Sequence, residues 1–127
     1  MADVNRGNRP LSPHLQVYRP QLTSMSSILV RSTGIATLGT AVLMVAWLFA
    51  AAASPAAFDT MNGLLTSGLG KLVMLLATWA AFYHMLGRLR HVIWDFGYAL
   101  DVETSEKMAM GMIGLATILT LLVAIVF

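Results

Sequence analysis

His84 is the residue of this sequence best suited to chemistry, because it is an ionisable side chain inside a largely apolar stretch, residues 79–98. An unpaired polar group in hydrocarbon costs several kcal/mol, and ionisable residues within membrane spans usually face a partner or a functional site. We therefore expect His84 to be a buried ligand position. A hydrogen bond to a neighbouring helix and a step in a proton pathway are the alternative interpretations.

Helix geometry limits what His84 can bind together with the other histidines. At about 100° per residue, His84 and His91 share one helix face but lie about 10 Å apart along the axis. One iron atom cannot be bound by both, and the remaining histidine, His14, lies in a polar segment. A haem whose iron is bound by His84 is therefore expected to take its second axial ligand from a different chain.

Two small residues flank His84 on its own face of the helix. Ala80 lies four residues before it, and Gly87 lies three residues after it. These small side chains would let a flat porphyrin lie close to the helix backbone. In membrane helices the same spacing usually serves helix packing, which is the competing interpretation.

Basic residues follow His84 towards the end of its helix. Arg88 shares the His84 face, and either Arg88 or Arg31 could form an ion pair with a haem propionate near the membrane surface. For Arg88, Arg90 and His91 a simpler interpretation exists. Cations at a cytoplasmic helix end complement the helix dipole and follow the positive-inside rule.

Ser27 and Arg31 form a second polar pair, four residues apart and hence on one helix face. A hydroxyl beside a fixed cation at the membrane boundary could hydrogen-bond a quinone oxygen and stabilise negative charge developing there during reduction. Alternatively, Arg31 only extends its charge to the membrane surface and Ser27 belongs to a polar helix start.

The elements that must position these residues are membrane helices. Of the 127 residues, 57% are hydrophobic and 11% are charged, and the mean hydropathy is +0.74; soluble domains usually carry about 25% charged residues. Each span needs about 20 residues. We predict an all-α membrane protein with three transmembrane helices. A polar cytoplasmic segment (1–22) precedes the membrane domain (23–127), with three spans at about 26–53, 66–90 and 106–127.

The positions of the basic residues predict the orientation of these spans. Seven arginines and lysines lie before or near the start of the first span, or where the second span ends and the third begins: Arg6, Arg9, Arg19, Arg31, Arg88, Arg90 and Lys107. Residues 54–70, expected to be a loop after the helix-ending Ser-Pro pair, contain neither Lys nor Arg. We therefore expect a cytoplasmic N-terminus and a periplasmic C-terminus.

The sequence contains no cysteine. This excludes disulfides, thiolate metal sites, cysteine-bound iron–sulfur clusters and covalent haem attachment within the chain. Any cofactor must be bound through nitrogen or oxygen ligands, or without ligands.

Short motifs follow one another along nearly the whole chain. They are RPLSPHL at 9–15, SILVRSTG at 27–34, YH at 83–84 followed by Gly87, RH at 90–91 and DFGY at 95–98. Each motif alone is weak, but the ordered set is specific. Together with three spans in the same order, it resembles the cytochrome b membrane anchor of succinate dehydrogenase, respiratory complex II.

The resemblance implies a subunit of an enzyme complex that carries no flavin itself. With a second membrane anchor, it would dock the flavoprotein and iron–sulfur subunits on the membrane. The two anchors would form a heteromeric helix bundle and share haem b, and ubiquinone would be reduced at the junction with the iron–sulfur subunit. Membrane lipid is a further expected partner, and nucleic acid is not.

The resemblance also implies roles for individual residues. His84 matches the axial ligand of the haem b iron, with the other ligand supplied by the partner anchor. Ser27 and Arg31 match the serine and arginine of the quinone pocket, and Asp95 matches an acidic residue near that pocket. The family usually has histidine immediately before this arginine, where this chain has Val30, so one polar contact to a haem propionate would be lost.

Other classes of function stand as alternatives. The nearest is the anchor of a quinol:fumarate reductase, because the reaction runs in both directions. A haem-free structural scaffold would tolerate the loss of His84. A transporter or channel subunit would need charged residues near the middle of several spans, and the first and third spans have none. The lack of a convincing presequence suggests a bacterial cytoplasmic (inner) membrane.

Overall fold

The computed structural model describes residues 18–126, which form three long helices and one short helix. The helices are α1 (Leu22–Ala53), α2 (Pro55–Thr66), α3 (Gly68–Asp95) and α4 (Val102–Val126). Helices α1, α3 and α4 are long and apolar enough to cross a membrane, which confirms an all-α fold with three spans. Most of the predicted polar segment, including His14, lies outside the described residues.

Each of the three long helices extends beyond its predicted span at one end. Helix α1 begins at Leu22 rather than at 26, α3 continues to Asp95 rather than 90, and α4 begins at Val102 rather than 106. The predicted limits followed the apolar composition, whereas a helix ends where its backbone groups are capped. After α3 the chain turns at Gly97, whose φ of 80° is the left-handed conformation common behind helix ends.

The segment 54–70 is not the loop that the sequence predicted, because it contains α2. The Ser54 hydroxyl accepts a hydrogen bond from the Ala57 backbone N–H at 3.2 Å, and Pro55 occupies the first position of the new helix. Serine before the first turn and proline at its start favour a helix beginning. The Ser-Pro pair therefore ends α1 and also starts α2, and only the first effect was predicted.

The start of α4 is polar. The Asp101 carboxylate accepts a hydrogen bond from the Thr104 backbone N–H at 2.8 Å. Hydrogen bonds from Thr104 lower the pKa of the Asp101 carboxyl, because they stabilise its charged form. One turn further on, Lys107 donates to Glu103 at 2.7 Å in an exposed ion pair. These groups hold the beginning of α4 outside the apolar layer.

Small and hydroxyl-bearing residues line the contacts between the three long helices. The buried residues follow the three- and four-residue spacing of a single helix face, and they are Ser26, Val30 and Thr33 in α1, Ala80, Tyr83, Gly87 and Arg90 in α3, and Ser105, Ala109, Met112, Ala116 and Thr120 in α4. Residues of this size let membrane helices approach closely. Thr33 and Thr120 donate to carbonyl oxygens of their own helices, so their burial leaves no hydroxyl unpaired.

Candidate functional site

Helices α1 and α3 run antiparallel, so that the start of α1 lies beside the end of α3. Three contacts at successive levels establish this, and they join Ser26 to Arg90, Val30 to Gly87 and Gly34 to His84. All four site residues expected from the sequence therefore belong to the same end of the bundle.

The imidazole of His84 has a partner at each ring nitrogen. Nδ1 lies 2.9 Å from the backbone carbonyl oxygen of Val30, and Nε2 lies 3.3 Å from Nε of Arg88. A carbonyl only accepts and an arginine Nε–H only donates, so Nδ1 carries the proton and Nε2 carries a lone pair. This is the neutral tautomer that a metal ligand requires.

Gly34 of α1 lies directly against the His84 ring. A Cβ atom at this position would lie 2.7 Å from Cε1 and 3.1 Å from Nδ1 of His84, closer than side-chain atoms normally approach. The carbonyl of Val30 contacts the same ring one turn earlier. Helix α1 therefore determines the orientation of a histidine carried by α3.

These features fit the axial ligand of a b-type haem. A histidine anchored through Nδ1 to a backbone carbonyl can direct Nε2 at iron, which would here take the place of the Arg88 Nε–H group at Nε2. Arg31 and Arg88 are exposed cations of the same region, and guanidinium groups suit propionates. Within residues 18–126, no group of three or more His, Asp or Glu side chains is arranged to hold a bare metal ion.

Substituting Gly34 by alanine is expected to displace the His84 ring, because the added methyl group would overlap Cε1. Overpacking of this kind costs about 1–3 kcal/mol, and a loss of about 1–2 kcal/mol would lower haem affinity roughly 5- to 30-fold. Haem content after detergent washing and the wavelength of the haem absorbance maximum measure the effect. Gly39→Ala is the matched control, since nothing lies within 4 Å of that position. A Gly34→Ala protein with unchanged haem content and spectrum would contradict the prediction.

Ala80 and Gly87 do not provide an open surface for a flat porphyrin. The prediction that they let a porphyrin lie close to the helix backbone is therefore wrong. Both residues are buried at helix contacts. A Cβ atom at Gly87 would overlap the Val30 side chain and would lie 3.3 Å from Cε of Met112. The helix-packing interpretation is confirmed. The Val30 side chain lies in this packed layer, and the Val30 carbonyl oxygen is the group that contacts His84.

Ser27 and Arg31 lie one turn apart on α1, and the structure makes Ser27 half-buried and Arg31 exposed. Asp95 is exposed at the last position of α3. Among residues 18–126 the only ion pair joins Lys107 to Glu103. Arg31 and Asp95 are thus both free of ion pairs within the part of the chain that the structure describes.

Arg90 is not a surface cation at a helix end, as the sequence suggested, because it is only 2% exposed. Its Nη1 donates to the Ser26 hydroxyl oxygen at 2.9 Å, and the Tyr83 hydroxyl donates to the same oxygen at 3.2 Å. The guanidinium also lies 4.6 Å from the centre of the Trp94 ring. This network was not predicted from the sequence, although Tyr83, Gly87 and Arg90 share the spacing of one helix face.

His91 makes local contacts. Its Nδ1 donates to the Gly87 carbonyl oxygen at 2.7 Å, and its ring packs edge-on against Trp94 with the centroids 5.3 Å apart. The ring is thus held by its own helix.

Together these features define a small membrane protein with three candidate spans and with its candidate site residues at one end of the bundle. Residues 5–123 match the family described as the succinate dehydrogenase/fumarate reductase transmembrane subunit. The chain belongs to this family, which confirms the resemblance drawn from its motifs.

Individual relatives cover almost the full chain. It is 46% identical over 127 residues to the succinate dehydrogenase cytochrome b556 subunit of Paracoccus denitrificans, covering 100% of this chain and 98% of that protein. It is 36% identical over 129 residues to the succinate dehydrogenase cytochrome b560 subunit of Reclinomonas americana, covering 94% of this chain and 87% of the relative. A succinate dehydrogenase cytochrome b556 subunit from Rickettsia bellii is 32% identical over 114 residues, with coverage of 90% and 89%.

Proposed function

We propose that this chain is the membrane anchor of a succinate:quinone oxidoreductase. It binds haem b through His84 together with a second anchor, and it forms part of the ubiquinone site through Ser27 and Arg31. The names of its relatives, which are cytochrome b subunits of succinate dehydrogenase, support the enzyme complex and the haem.

The observation that carries the proposal is the state of the His84 ring. Its Nδ1–H group donates to the Val30 carbonyl oxygen, and its Nε2 is a hydrogen-bond acceptor. Helix α3, which carries His84, is one of the three candidate membrane spans. Axial haem ligation needs this arrangement. The haem, when bound, supplies a one-electron redox centre.

A second membrane anchor is supported by the histidines of the described residues. His91 donates to its own helix and lies about 10 Å from His84 along the axis. For both reasons His91 cannot bind the same iron atom opposite His84. The second axial ligand is therefore assigned to a partner chain, which would cover this side of the bundle.

Ser27 and Arg31 supply what a quinone site needs. Reduction of ubiquinone adds two electrons and two protons, and negative charge develops on a carbonyl oxygen. The Ser27 hydroxyl donates a hydrogen bond to that oxygen, and the unpaired Arg31 guanidinium stabilises the charge. The electrons come from succinate through the flavoprotein and iron–sulfur subunits. Asp95, exposed at the same end of the bundle, passes protons from the aqueous side.

The proposed orientation places this end of the bundle in the cytoplasm of a bacterium and the end of α4 in the periplasm. The charges support it, because Arg31, Arg88 and Arg90 all lie where α1 begins and α3 ends, whereas Lys71 is alone near the other end. Basic residues concentrate on the cytoplasmic side of membrane proteins. The iron–sulfur and flavoprotein subunits would dock on that side.

Substitutions of Ser27 and Arg31 test the quinone site. We expect Ser27→Ala and Arg31→Gln to lower ubiquinone reduction by succinate roughly 100-fold, since one donor to a developing oxyanion is worth about 100- to 1000-fold in rate. Reduction of an artificial dye by the flavoprotein and iron–sulfur subunits should keep its normal rate. The measurement is both activities in the purified complex.

Two control variants remove the same kinds of group, a hydroxyl and a cation, at positions outside the proposed quinone site. Ser32→Ala removes an exposed hydroxyl that donates to its own helix, and Lys71→Gln removes a cation from the other end of the bundle. Both should retain ubiquinone reduction. Normal ubiquinone kinetics in the Ser27 and Arg31 variants would show that the quinone binds elsewhere.

The anchor of a quinol:fumarate reductase is the second candidate, because the family description includes both enzymes. The relatives named above are all subunits of succinate dehydrogenase, which favours succinate oxidation. The ratio of succinate oxidation to fumarate reduction, measured with one preparation and matched quinone and quinol, separates the two.

A further inference from the structure

We infer that Arg90 is a positioning residue for the quinone site. With Ser26 and Tyr83 it forms a buried polar group, called here the Arg90 cluster, that holds the beginning of α1 against α3. The inference rests on the proposed quinone residues, Ser27 and Arg31, because their direction depends on how α1 is held.

The Arg90 cluster is closed to solvent. Tyr83 is 0% exposed, and Ser26 and Arg90 are each 2% exposed. A buried cation requires polar partners, and Arg90 has few. One is the Ser26 hydroxyl and another is the face of the Trp94 ring, while its Nε has no hydrogen-bond partner within residues 18–126. The guanidinium therefore depends strongly on Ser26.

Two residues of α3 hold one oxygen of α1. Tyr83 and Arg90 are seven residues apart, or about 10 Å along the axis, yet both donate to the Ser26 hydroxyl oxygen. The guanidinium thus lies between the two helices. Arginines near membrane surfaces usually extend their charged group into water at the helix end, and Arg90 does not. Sliding or rotating α1 would break both hydrogen bonds and leave a buried cation unpaired, so the cluster fixes depth and rotation together.

The rotation of α1 decides where the quinone residues point. With Ser26 facing α3, Ser27 points about 100° away and Arg31 about 140° away around the same helix. Both residues consequently lie on the side of α1 turned away from the Arg90 cluster, which agrees with their greater exposure. Weakening the Arg90 cluster would therefore displace Ser27 and Arg31, although neither residue belongs to the cluster.

The test uses the complete complex with its native partners and three variants. Ser26→Ala removes the shared acceptor, Arg90→Met removes donor and charge, and Arg90→Lys keeps the charge with a different donor. We expect the KM for ubiquinone to rise on the order of 10-fold in Arg90→Met and a few-fold in Ser26→Ala, with Arg90→Lys in between. The kcat of succinate-dependent dye reduction per assembled complex should stay unchanged.

A double variant shows whether the residues act as a unit. If they do, the rise in KM of Ser26→Ala/Arg90→Met should be smaller than the product of the two single fold-changes, since both changes remove the same hydrogen bond between Arg90 and Ser26, and only the bond from Tyr83 is lost in addition. Lys107→Met controls for the loss of one positive charge, because Lys107 is exposed and paired only with Glu103. Its ubiquinone KM should remain normal.

A merely structural role gives a different result. Loss of folding would lower the amount of complex and every activity in proportion, leaving the ubiquinone KM unchanged. A normal KM in Ser26→Ala overturns the inference, and so do fold-changes that multiply in the double variant. If Arg90→Met does not assemble, Ser26→Ala alone decides, since it deletes one oxygen atom. Failure of the proposed quinone site is distinguishable, because then the Ser27 and Arg31 variants themselves keep a normal KM.

Discussion

Complex II purified with His84→Ala is expected to lack the b-type haem signal in a dithionite-reduced minus oxidised absorbance spectrum. Outer partners of metal-bound histidines typically contribute 10- to 100-fold to metal affinity, and the loss of the ligand itself should exceed roughly 100-fold. Arg88, the partner of Nε2, cannot replace it, because an arginine does not act as a ligand at neutral pH. The measurement is haem per assembled complex.

His91→Ala is the matched control. His91 lies on the same helix, but its Nδ1 donates to the Gly87 carbonyl and its ring rests on Trp94. This variant should retain the haem. A normal haem signal in His84→Ala would mean that another residue is the ligand. The absence of any signal from the unmodified complex would favour the haem-free scaffold.

Gly87→Val is expected to prevent assembly of most of the complex. A Cβ atom at Gly87 would overlap the side chain of Val30 and crowd Met112, where α1, α3 and α4 meet. Overpacking costs about 1–3 kcal/mol and occasionally more, so the fraction of chain found in the complex should fall roughly 10- to 100-fold. The amount of the chain that co-purifies with the flavoprotein subunit measures this.

The control and the rescue both come from the same chain. Gly114 of α4 has nothing within 4 Å of its Cβ position, so Gly114→Val should assemble almost normally. Adding Val30→Ala to Gly87→Val removes the atoms that overlap and should restore part of the assembly. Full assembly of Gly87→Val would show that α1 and α3 can separate at this level without cost.

Helices α1 and α3 position each other's candidate site residues. The Val30 carbonyl and Gly34 of α1 set the direction of His84 on α3. In return, Arg90 on α3 holds Ser26, next to the proposed quinone residues on α1. The proposed haem and quinone sites therefore both depend on the interface of α1 and α3, and a substitution there should be tested for effects on both.

Polar contacts between the helices are few, which makes each of them informative. Most threonine hydroxyls donate to a carbonyl oxygen of their own helix, as Thr37 and Thr78 do. Such hydroxyls are satisfied without a neighbour. Trp79 donates to Thr117 across the contact of α3 and α4 at 3.1 Å. The polar side-chain contacts between α1 and α3, at His84 and in the Arg90 cluster, gather at the end that carries the proposed sites.

Helix rotation explains what could not be predicted from the sequence. Three apolar stretches with charges between them made three spans predictable, and His84 was conspicuous because an imidazole in hydrocarbon needs a partner. Which face of α3 would meet α1 was not predictable, since apolar residues surround each span. Arg90 was therefore assigned to the surface although it is buried, and Gly87 had two interpretations that only its contact with Val30 separated.

Capping explains the other difference. The Ser54–Pro55 pair ended the first span as predicted, but the same pair also begins α2, because the Ser54 hydroxyl accepts from Ala57. That start was predictable from residue type, as serine followed by proline is a common helix beginning. Treating the pair only as a stop signal caused the error.

By itself, the sequence determined that the chain is an all-helical membrane protein with three spans, that it lacks thiolate chemistry, and, through the order of its motifs, the family to which it belongs. These properties follow from composition and from residues near one another in the chain. Only the tertiary structure decided that His84 presents Nε2, that Gly34 touches its ring and that Arg90 is buried on Ser26. Each of these depends on the register and rotation of two helices whose contacting residues lie about fifty or more positions apart, which local sequence patterns do not encode.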